Sequence, residues 1–280
     1  MTIIPKVSIG LPVYNGAQTL SRTIDSLLNQ SFKDFELIIS DNHSSDETQE
    51  ICLAYAARDS RIKYVRQPYT VAPEINYEYV LTHAQGDYFM WNADDDWRTP
   101  GFIEINFREL ELNPNLVGST SPDCWENDWP NPENLHSFSF EGNLYSSLTK
   151  FLRHCWVSGG VFYSLFRRRV LTNFNFELIT IGGPVFACDW FLLPHVMEQG
   201  SIRRVPNQCT VLGLGGISQQ ADAVKRCQHM FIERFFPLYR FSKYFSGIVV
   251  STNKLSLANK ARLIIQLISL NIFIYRKVLR

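Results

Sequence analysis

The sequence predicts an α/β protein with a largely parallel central sheet, flanked by helices and followed by a helical C-terminal extension. Short apolar runs of strand length alternate with segments whose apolar residues recur at helical spacing. Such alternation is typical of a parallel sheet covered by helices. The composition then changes near the end of the chain, because nine of the 27 basic residues but none of the 27 acidic residues follow Glu233.

The pattern assigns each element in chain order. Turn-forming Tyr14-Asn15-Gly16 follows the first strand, and Pro100 begins a helix that ends near Leu112. The predicted strands are 6–12, 35–40, 62–65 and 87–91, and the predicted helices are 20–28, 44–55, 76–83, 100–112 and 188–199.

Two local signals refine this assignment. Ser44 with Glu47 three residues later forms a capping-box pattern, which predicts that the second helix begins at Ser44. Tryptophans and prolines crowd residues 118–141, which predicts irregular structure in a loop region that faces the substrate. We expect the α/β domain to cover residues 1–215 and the extension to cover 216–280.

Composition excludes several classes of protein. At 45% hydrophobic and 19% charged residues, the 280-residue chain has the makeup of a folded protein. The six cysteines form no C-x-x-C pair, which argues against a zinc ribbon or a thioredoxin-type site. No long apolar run follows a positive N-terminus, so we expect a cytoplasmic protein with reduced cysteines. The acidic body also argues against nucleic-acid binding, since phosphate contacts need a basic face.

Three polar clusters follow predicted strands, and in a parallel sheet the carboxyl ends of the strands share the edge where ligands bind. They are Tyr14-Asn15, Asp41-Asn42 and Asp94-Asp95-Asp96. Three adjacent carboxylates repel one another unless a cation lies among them, and oxygen ligands favour Mg²⁺ or Mn²⁺. The alternative is a solvated acidic turn before the next helix. Asp41 and Asp189 likewise fit either ligand contacts or ordinary turn and helix-start positions.

Five segments, in this order, resemble glycosyltransferase family 2, an inverting family with the GT-A fold. They are VSIGLPVYNG, SLLNQSFKDFELIISDNHSSDET, GDYFMWNADDDW, SGGVFYSLFRRRVL and Cys188-Asp189-Trp190, and together they cover roughly residues 5–200. The resemblance implies an enzyme that moves a sugar from a UDP- or dTDP-type nucleotide-sugar donor to an acceptor hydroxyl. The acceptor would be a saccharide or a lipid-linked saccharide, in polysaccharide or glycolipid assembly.

The resemblance also implies residue roles. Asp189 would be the catalytic base, and Asp41 would accept a hydrogen bond from the base of the nucleotide. Asp95 and Asp96 would hold Mg²⁺ or Mn²⁺, with Asp95 the first choice, and Asp94 would lie beside them at the donor. The remaining residues that would line the nucleotide-sugar site are Pro12, Tyr14, Asn15, Gly159 and Gly160.

The chain departs from the family pattern at three places. Ala93 occupies the position of an expected aspartate, Cys188 replaces a common glutamate, and 212–218 lacks a histidine found in relatives. These departures leave a second hypothesis open, a catalytically silent sugar-nucleotide-binding or scaffolding protein.

The extension interleaves aromatic and basic residues, and its apolar run from Leu263 to Tyr275 is shorter than the about twenty residues of a membrane-spanning helix. A basic, aromatic helix is typical of attachment to the cytoplasmic face of a membrane. The alternative is that the extension packs on the catalytic domain or forms a homo-oligomer.

Overall fold

A computed structural model describes residues 4–130, 135–155, 159–180, 183, 185–214, 227 and 230–278. Its central feature is a seven-stranded sheet. The strands, in the order in which they lie side by side, are β3 (Ile62–Arg66), β2 (Phe35–Asp41), β1 (Val7–Val13), β4 (Tyr88–Trp91), β8 (Leu165–Arg167), β6 (Leu116–Thr120) and β9 (Ser201–Arg204). Only β8 runs antiparallel to its neighbours, which confirms the prediction of a largely parallel sheet.

Helices cover both faces of this sheet. They are α1 (Leu20–Leu28), α2 (Thr48–Ala56), α3 (Pro73–Thr82), α4 (Phe102–Leu112), α5 (Leu144–His154), α6 (Gly159–Phe162), α7 (Glu177–Thr180), α8 (Leu192–Gln199), α9 (Tyr239–Ser251) and α10 (Leu257–Val278). Adjacent side chains of a strand point to opposite faces, so the buried strands supply two cores. Ile9 and Leu11 pack in the core with α1 and α4, whereas Ile38 and Phe89 pack in the core with α3 and α5.

A second, three-stranded sheet takes one of its strands from residues 118–141, the part of the chain that was predicted to be irregular. Its strands are β5 (Trp97–Arg98), β10 (Thr210–Leu212) and β7 (Asp123–Trp125), in that spatial order. The prediction for 118–141 was therefore wrong in part, because β7 and most of β6 fall within it. These short strands are stabilised by partners distant in sequence, which no local pattern shows.

The start of α2 also differs from the prediction. The helix begins at Thr48, and Glu47 occupies the cap position without a side-chain cap bond. Ser44 is engaged elsewhere, because its hydroxyl accepts a hydrogen bond from the Asn15 backbone N–H at 2.9 Å. The capping-box residues therefore serve a contact between two loops at the carboxyl edge of the sheet.

The C-terminal helices share a hydrophobic core with the α/β body. Phe241 and Phe245 of α9 and Leu263 and Leu267 of α10 are buried in the same cluster as Phe151 of α5. The predicted domain boundary at 215/216 lies at residues outside those that the structure describes. The described part of the extension packs against the body. Such packing was one of the two arrangements that the sequence left open for the extension.

Candidate active site

The loop after β1 is held by hydrogen bonds to the loop after β2. Asn15 adopts a left-handed backbone with φ of 53°, a conformation that asparagine tolerates better than most residues. Its side-chain oxygen accepts the Ser45 N–H at 2.8 Å, and the Gly16 N–H donates to the Thr48 hydroxyl at 2.9 Å. Tyr14 remains 51% exposed at this edge. The two loops therefore form a fixed platform with an accessible aromatic ring.

Asp41 ends β2 directly beside Val13, the last residue of β1. One carboxylate oxygen accepts the Ser44 N–H at 2.8 Å, and the other accepts the Tyr64 hydroxyl at 3.0 Å. Arg66 lies 3.6 Å from the second oxygen. Asp41 has no exposed surface, so in this structure it organises the loop from within.

The acidic cluster lies across the same edge, after β4. The Thr23 hydroxyl donates to the Asp94 carbonyl at 2.9 Å, and a Cβ added at Gly16 would lie 2.5 Å from an Asp94 carboxylate oxygen. A Cβ at Gly213 would meet an Asp95 carboxylate oxygen at the same distance. Two glycines thus leave room for two carboxylates, which brings the first strand, the cluster and the end of β10 together.

Asp96 is only 5% exposed, which contradicts the hypothesis of a fully solvated acidic turn. Its carboxylate accepts the Gly213 N–H at 2.9 Å. Burial, together with the negative charge of Asp95, raises the pKa of Asp96 to about 7. The same two causes raise the pKa of Asp94 to about 7. The cluster therefore holds more negative charge than its surroundings neutralise.

One of the cations near the cluster, Arg98, is committed to other partners. Arg98 is buried, and its guanidinium donates to Asn92 at 2.6 Å and to the Thr210 hydroxyl at 2.8 Å. It also donates to the carbonyls of Trp91 and Tyr163 at 3.2 and 3.1 Å. Arg98 thereby joins β4, β5, β10 and the segment after α6, and it forms no direct ion pair with the cluster.

The residues present fit a divalent cation. Among the residues that the structure describes, no three or more histidine, cysteine or acidic side chains are grouped to hold a metal ion. Mg²⁺ and Mn²⁺ sites commonly use only one or two carboxylates, with substrate phosphates completing the shell. Carboxylates whose pKa is raised by burial, and further by the charge of a neighbouring carboxylate, are the chemical setting that such a cation relieves.

Asp189 lies on a 3-10 helix, Cys188–Phe191, which leads directly into α8. Ala187, directly before this 3-10 helix, takes a left-handed backbone with φ of 58° and so turns the chain sharply into the segment. Burial raises the pKa of Asp189 to about 6, although backbone N–H groups of Asp189 and Trp190 partly offset that effect. A carboxylate of this kind is a stronger base than an ordinary aspartate and is still ionised at neutral pH.

A partly buried tyrosine pair lies near both the acidic cluster and Asp189. The hydroxyls of Tyr77 on α3 and Tyr163 after α6 lie 3.3 Å apart. Tyr163 is close enough to Asp96 and Asp189 for both charges to raise its pKa further, after burial as the main cause. The sequence analysis missed both tyrosines and Arg98. Tyr163 lies within one of the segments that resemble the family and Arg98 directly follows another, whereas no such signal marked Tyr77.

Gly159 and Gly160 open α6, at the position where the sequence analysis placed a small-residue stretch. A Cβ at Gly160 would lie 2.6 Å from a carboxylate oxygen of Asp123. Asp123 in turn pairs with Arg204 and accepts from His136 at 2.9 Å. Gly160 is therefore required by a buried ion pair of the scaffold, and a donor contact at this glycine stays a prediction. Most of 212–218 lies outside the described residues.

Comparison with known proteins identifies the family. The model of glycosyl transferase family 2 matches residues 8–174, more than half of the chain. The chain belongs to glycosyl transferase family 2. This membership confirms the resemblance seen in the sequence, and the matched region contains every predicted site residue except Asp189.

Two curated relatives each match less than half of the chain. EpsE of Bacillus subtilis (strain 168) is 36% identical over 118 residues, which is 41% of this chain and 42% of the relative. The GalNAc(5)-diNAcBac-PP-undecaprenol beta-1,3-glucosyltransferase of Campylobacter jejuni is 38% identical over 94 residues, 33% of this chain and 30% of the relative. The matches therefore span less than half the length of these relatives.

Solved structures match almost the whole chain. S. aureus TarS 1-349 in complex with UDP-GlcNAc has a TM-score of 0.68 and 14% identity, and covers 97% of this chain and 74% of its own. The mannosyltransferase PcManGT of Pyrobaculum calidifontis, in complex with GDP-Man and Mn²⁺, has a TM-score of 0.55 and 13% identity, with 99% and 76% covered. At these identities the likeness confirms the fold, which is GT-A.

Proposed function

We propose that this protein is an inverting, metal-dependent glycosyltransferase that moves a hexose-type sugar from a UDP- or dTDP-linked donor to an acceptor hydroxyl. One observation carries the proposal. In a member of this family, a fixed loop platform and an acidic cluster with raised pKa values lie at the carboxyl edge of one largely parallel sheet, and Tyr163 is close enough to both Asp96 and Asp189 for their charges to act on its pKa.

The nucleotide would bind on the loop platform. Tyr14 offers an exposed ring against which a base or ribose can pack, and Pro12 and Asn15 shape the loop behind it. Asp41 would accept the ring N–H of a uracil-type or thymine-type base with a lone pair that Ser44 and Tyr64 leave unused. This contact requires the base to reach a carboxylate that is buried in the ligand-free chain.

Asp95 and Asp96, with Asp94 beside them, would hold Mg²⁺ or Mn²⁺. A bound divalent cation would supply charge stabilisation for the departing nucleoside diphosphate. Gly16 and Gly213 leave room for the Asp94 and Asp95 carboxylates, because an added Cβ at either glycine would collide with one of them.

Asp189 would act as the general base. It takes the proton from the acceptor hydroxyl while that oxygen attacks the anomeric carbon and the bond to the diphosphate breaks. With a pKa of about 6, the side chain is ionised at neutral pH and more basic than a solvated aspartate. Attack opposite the leaving group inverts the anomeric configuration, and the tyrosine pair lines the space between the base and the cluster.

The acceptor would be a saccharide or a lipid-linked saccharide in polysaccharide or glycolipid assembly. The support for this acceptor comes only from what similar proteins are named for or are bound to. One relative is named for a glucosyl transfer to an undecaprenol-linked glycan, and a structural neighbour is in complex with UDP-GlcNAc.

The test is calorimetric titration of UDP and dTDP into the purified chain, with and without Mn²⁺, for wild type and Asp95→Ala. We expect binding that Mn²⁺ strengthens and that Asp95→Ala reduces to the metal-free level. Asp87→Ala is the matched control, because Asp87 is exposed at the start of β4, at the opposite edge of the sheet.

Donor hydrolysis and transfer then separate the two hypotheses left open by the sequence. Metal-dependent nucleotide binding, with no release of nucleoside diphosphate from any UDP- or dTDP-sugar, would favour the silent sugar-nucleotide-binding or scaffolding protein. A folded protein that binds neither nucleotide would overturn the proposed donor site.

A further inference from the structure

The last helix of the chain is longer than its apolar run predicted. α10 spans Leu257–Val278, and by length and composition 257–276 could cross a membrane. One side of this helix is buried, however, with Leu263, Leu267 and Ile274 in the core of the body. Between Leu263 and Ile274 this side of the helix is packed on protein, so lipid cannot surround that stretch while the packing holds.

Two polar contacts fix α10 to the helix before it. The Asn271 side chain is buried and donates to the Ser242 hydroxyl of α9 at 2.9 Å. Its oxygen accepts the Leu238 N–H at 3.2 Å. Breaking such buried bonds would leave unpaired polar groups, so the helix is held in place on the body.

The opposite side of α10 presents apolar side chains to the outside. Ile265, Ile268 and Ile272 are 63%, 48% and 46% exposed and recur at i, i+3 and i+7, which places them on one stripe. Phe273 and Tyr275 flank the stripe and are also classed as exposed. We call this stripe with its two flanking rings the outer face of α10. The whole 22-residue helix is about 33 Å long, and the outer face covers about 15 Å of it.

The charges near the outer face of α10 indicate what kind of partner it would bind. The exposed Arg262 and Arg276 lie near the two ends of the stripe, and no acidic residue follows Glu233 in the sequence. In a two-fold pairing of antiparallel helices, Arg262 of one copy would face Arg276 of the other with no carboxylate to neutralise them. An anionic surface with an apolar interior instead matches both the isoleucines and the arginines.

We propose that the outer face of α10 docks the protein flat on an anionic lipid bilayer. The isoleucines enter the boundary between headgroups and acyl chains, and the arginines contact anionic headgroups. The body stays outside the bilayer because the buried side of α10 remains packed on it.

The docked helix is connected to the candidate base through one layer of aromatic rings. Phe191, two residues after Asp189, packs on Phe241 and Tyr244 of α9 with ring centroids 5.4 and 5.2 Å apart. α9 in turn packs on α10 through Asn271. Docking would hold the active site at a fixed position relative to the membrane, a use that rests on the proposed function and its lipid-linked acceptor.

The experiment is co-sedimentation of the full chain with vesicles of phosphatidylcholine alone or with 30 mol% phosphatidylglycerol, about the anionic content of a charged leaflet. We expect binding to the anionic vesicles that weakens with salt. The variant Ile265→Gln/Ile268→Gln/Ile272→Gln should lower the partition coefficient at least about tenfold, because it removes three inserted side chains. Arg262→Gln/Arg276→Gln should lower it severalfold on anionic vesicles only.

Matched controls change the same residue types elsewhere. Leu112→Gln removes an apolar side chain that is 78% exposed at the end of α4, and Arg58→Gln/Arg108→Gln removes two exposed charges of the body. Both controls should bind vesicles as wild type does. Failure of the wild type to bind anionic vesicles, or equal binding by the triple variant, would overturn the proposal.

Sedimentation velocity and calorimetry make the remaining outcomes decisive. A concentration-dependent dimer that the triple variant abolishes, without vesicle binding, would assign the face to a second copy and overturn docking. UDP binding with Mn²⁺ should be unchanged in the triple variant, which shows that its fold is intact. Vesicle binding without nucleotide binding would support docking and overturn the proposed donor site. Nucleotide binding without vesicle binding would support the donor site and overturn docking.

Discussion

The two sides of the candidate active site differ in how far their polar groups are satisfied within the chain. On the nucleotide side, the Asp46 carboxylate accepts bonds from the Ala17 N–H at 3.0 Å and the Thr48 hydroxyl at 2.6 Å. Burial alone would raise the pKa of Asp46, but these bonds hold it below its usual value. On the acidic side, burial raises the pKa of Asp94, Asp96 and Asp189 above the usual value.

The difference indicates two kinds of preparation for a ligand. On the nucleotide side the loops are already held in shape by their own hydrogen bonds, although the base would still have to reach Asp41, which has no exposed surface. The acidic side stores unfavourable charge interactions that a cation or a proton from the acceptor would relieve. Charged groups held in an unfavourable electrostatic environment are typical of catalytic sites, whereas polar groups whose hydrogen bonds are complete are typical of the supporting structure.

The largest effect should come from removing the candidate base. We expect Asp189→Asn to lower the transfer rate by about 10²–10⁴-fold, because an amide cannot accept the hydroxyl proton. Donor affinity, measured by calorimetry, should stay within about twofold, the spread expected for contact energies. Asp87→Asn makes the same chemical change at the opposite edge and should leave the rate unchanged. A variant that retains wild-type turnover would remove Asp189 from the mechanism.

Removing the Asp95 carboxylate should abolish the part of nucleotide binding that depends on the cation. We expect Asp95→Asn to lose the gain in nucleotide affinity that Mn²⁺ provides, while the metal-free affinity stays near that of wild type. The reason is that the platform around Asn15 and Ser45 is held by bonds that do not involve the cluster. Equal Mn²⁺ responses in both proteins would contradict the assignment of Asp95 as a ligand.

A smaller effect is expected from crowding the same carboxylate. In Gly213→Ala the new Cβ would lie 2.5 Å from an Asp95 carboxylate oxygen, so Asp95 must move. Changes in groups that position a metal ligand typically cost about 10–100-fold in metal affinity. Manganese titration followed by electron paramagnetic resonance measures this affinity directly. Gly247→Ala, at a glycine with open space around it, is the control that should leave it unchanged.

The pH dependence tests the raised pKa of Asp189. With donor and Mn²⁺ saturating, kcat/KM for the acceptor reports the base in the donor-bound enzyme. The ionised form is the active one, so kcat/KM should rise with pH through about 6 and level off above it. Below that pKa the slope should approach about tenfold per pH unit. A midpoint near 4, the value of a solvated aspartate, would show that burial does not tune this group.

The smallest expected effects are on stability, and they compare a carboxylate of the acidic side, Asp94, with one of the nucleotide side, Asp46. Asp94 has a folded pKa of about 7 against about 3.9 for an unfolded aspartate, so the folded state binds more protons between those values. Stability therefore falls as pH rises through that window. We expect Asp94→Asn to raise Tm at pH 8 and to leave it nearly unchanged at pH 4.

Asp46→Asn should act in the opposite direction. It places an NH₂ group against N–H or O–H donors of Ala17 or Thr48, and lost bonds to charged groups cost about 1.5–3 kcal/mol. Tm at pH 8, read by circular dichroism without metal, should fall by several degrees. A shift in the same direction for Asp94→Asn and Asp46→Asn would refute the contrast between the two sides.

The sequence by itself determined the elements around the nucleotide side. Apolar runs of period two and helical spacing are local, so strands at 7–13 and 35–41 and the helix at 20–28 agree with prediction within one residue. Because parallel strands end at one edge, the meeting of the loops after Val13, Asp41 and Trp91 followed from topology alone.

Only the tertiary structure decided how each of those residues is used. Ser44 does not cap a helix as predicted. Its hydroxyl instead accepts a hydrogen bond from the N–H of Asn15, which lies 29 residues away in the sequence. The small sheet joins Trp97, Cys124 and Val211, whose pairing depends on contacts between distant segments. The raised pKa values of Asp94 and Asp189 come from burial by several elements at once, and burial is a property of the packed molecule that no single stretch of sequence contains.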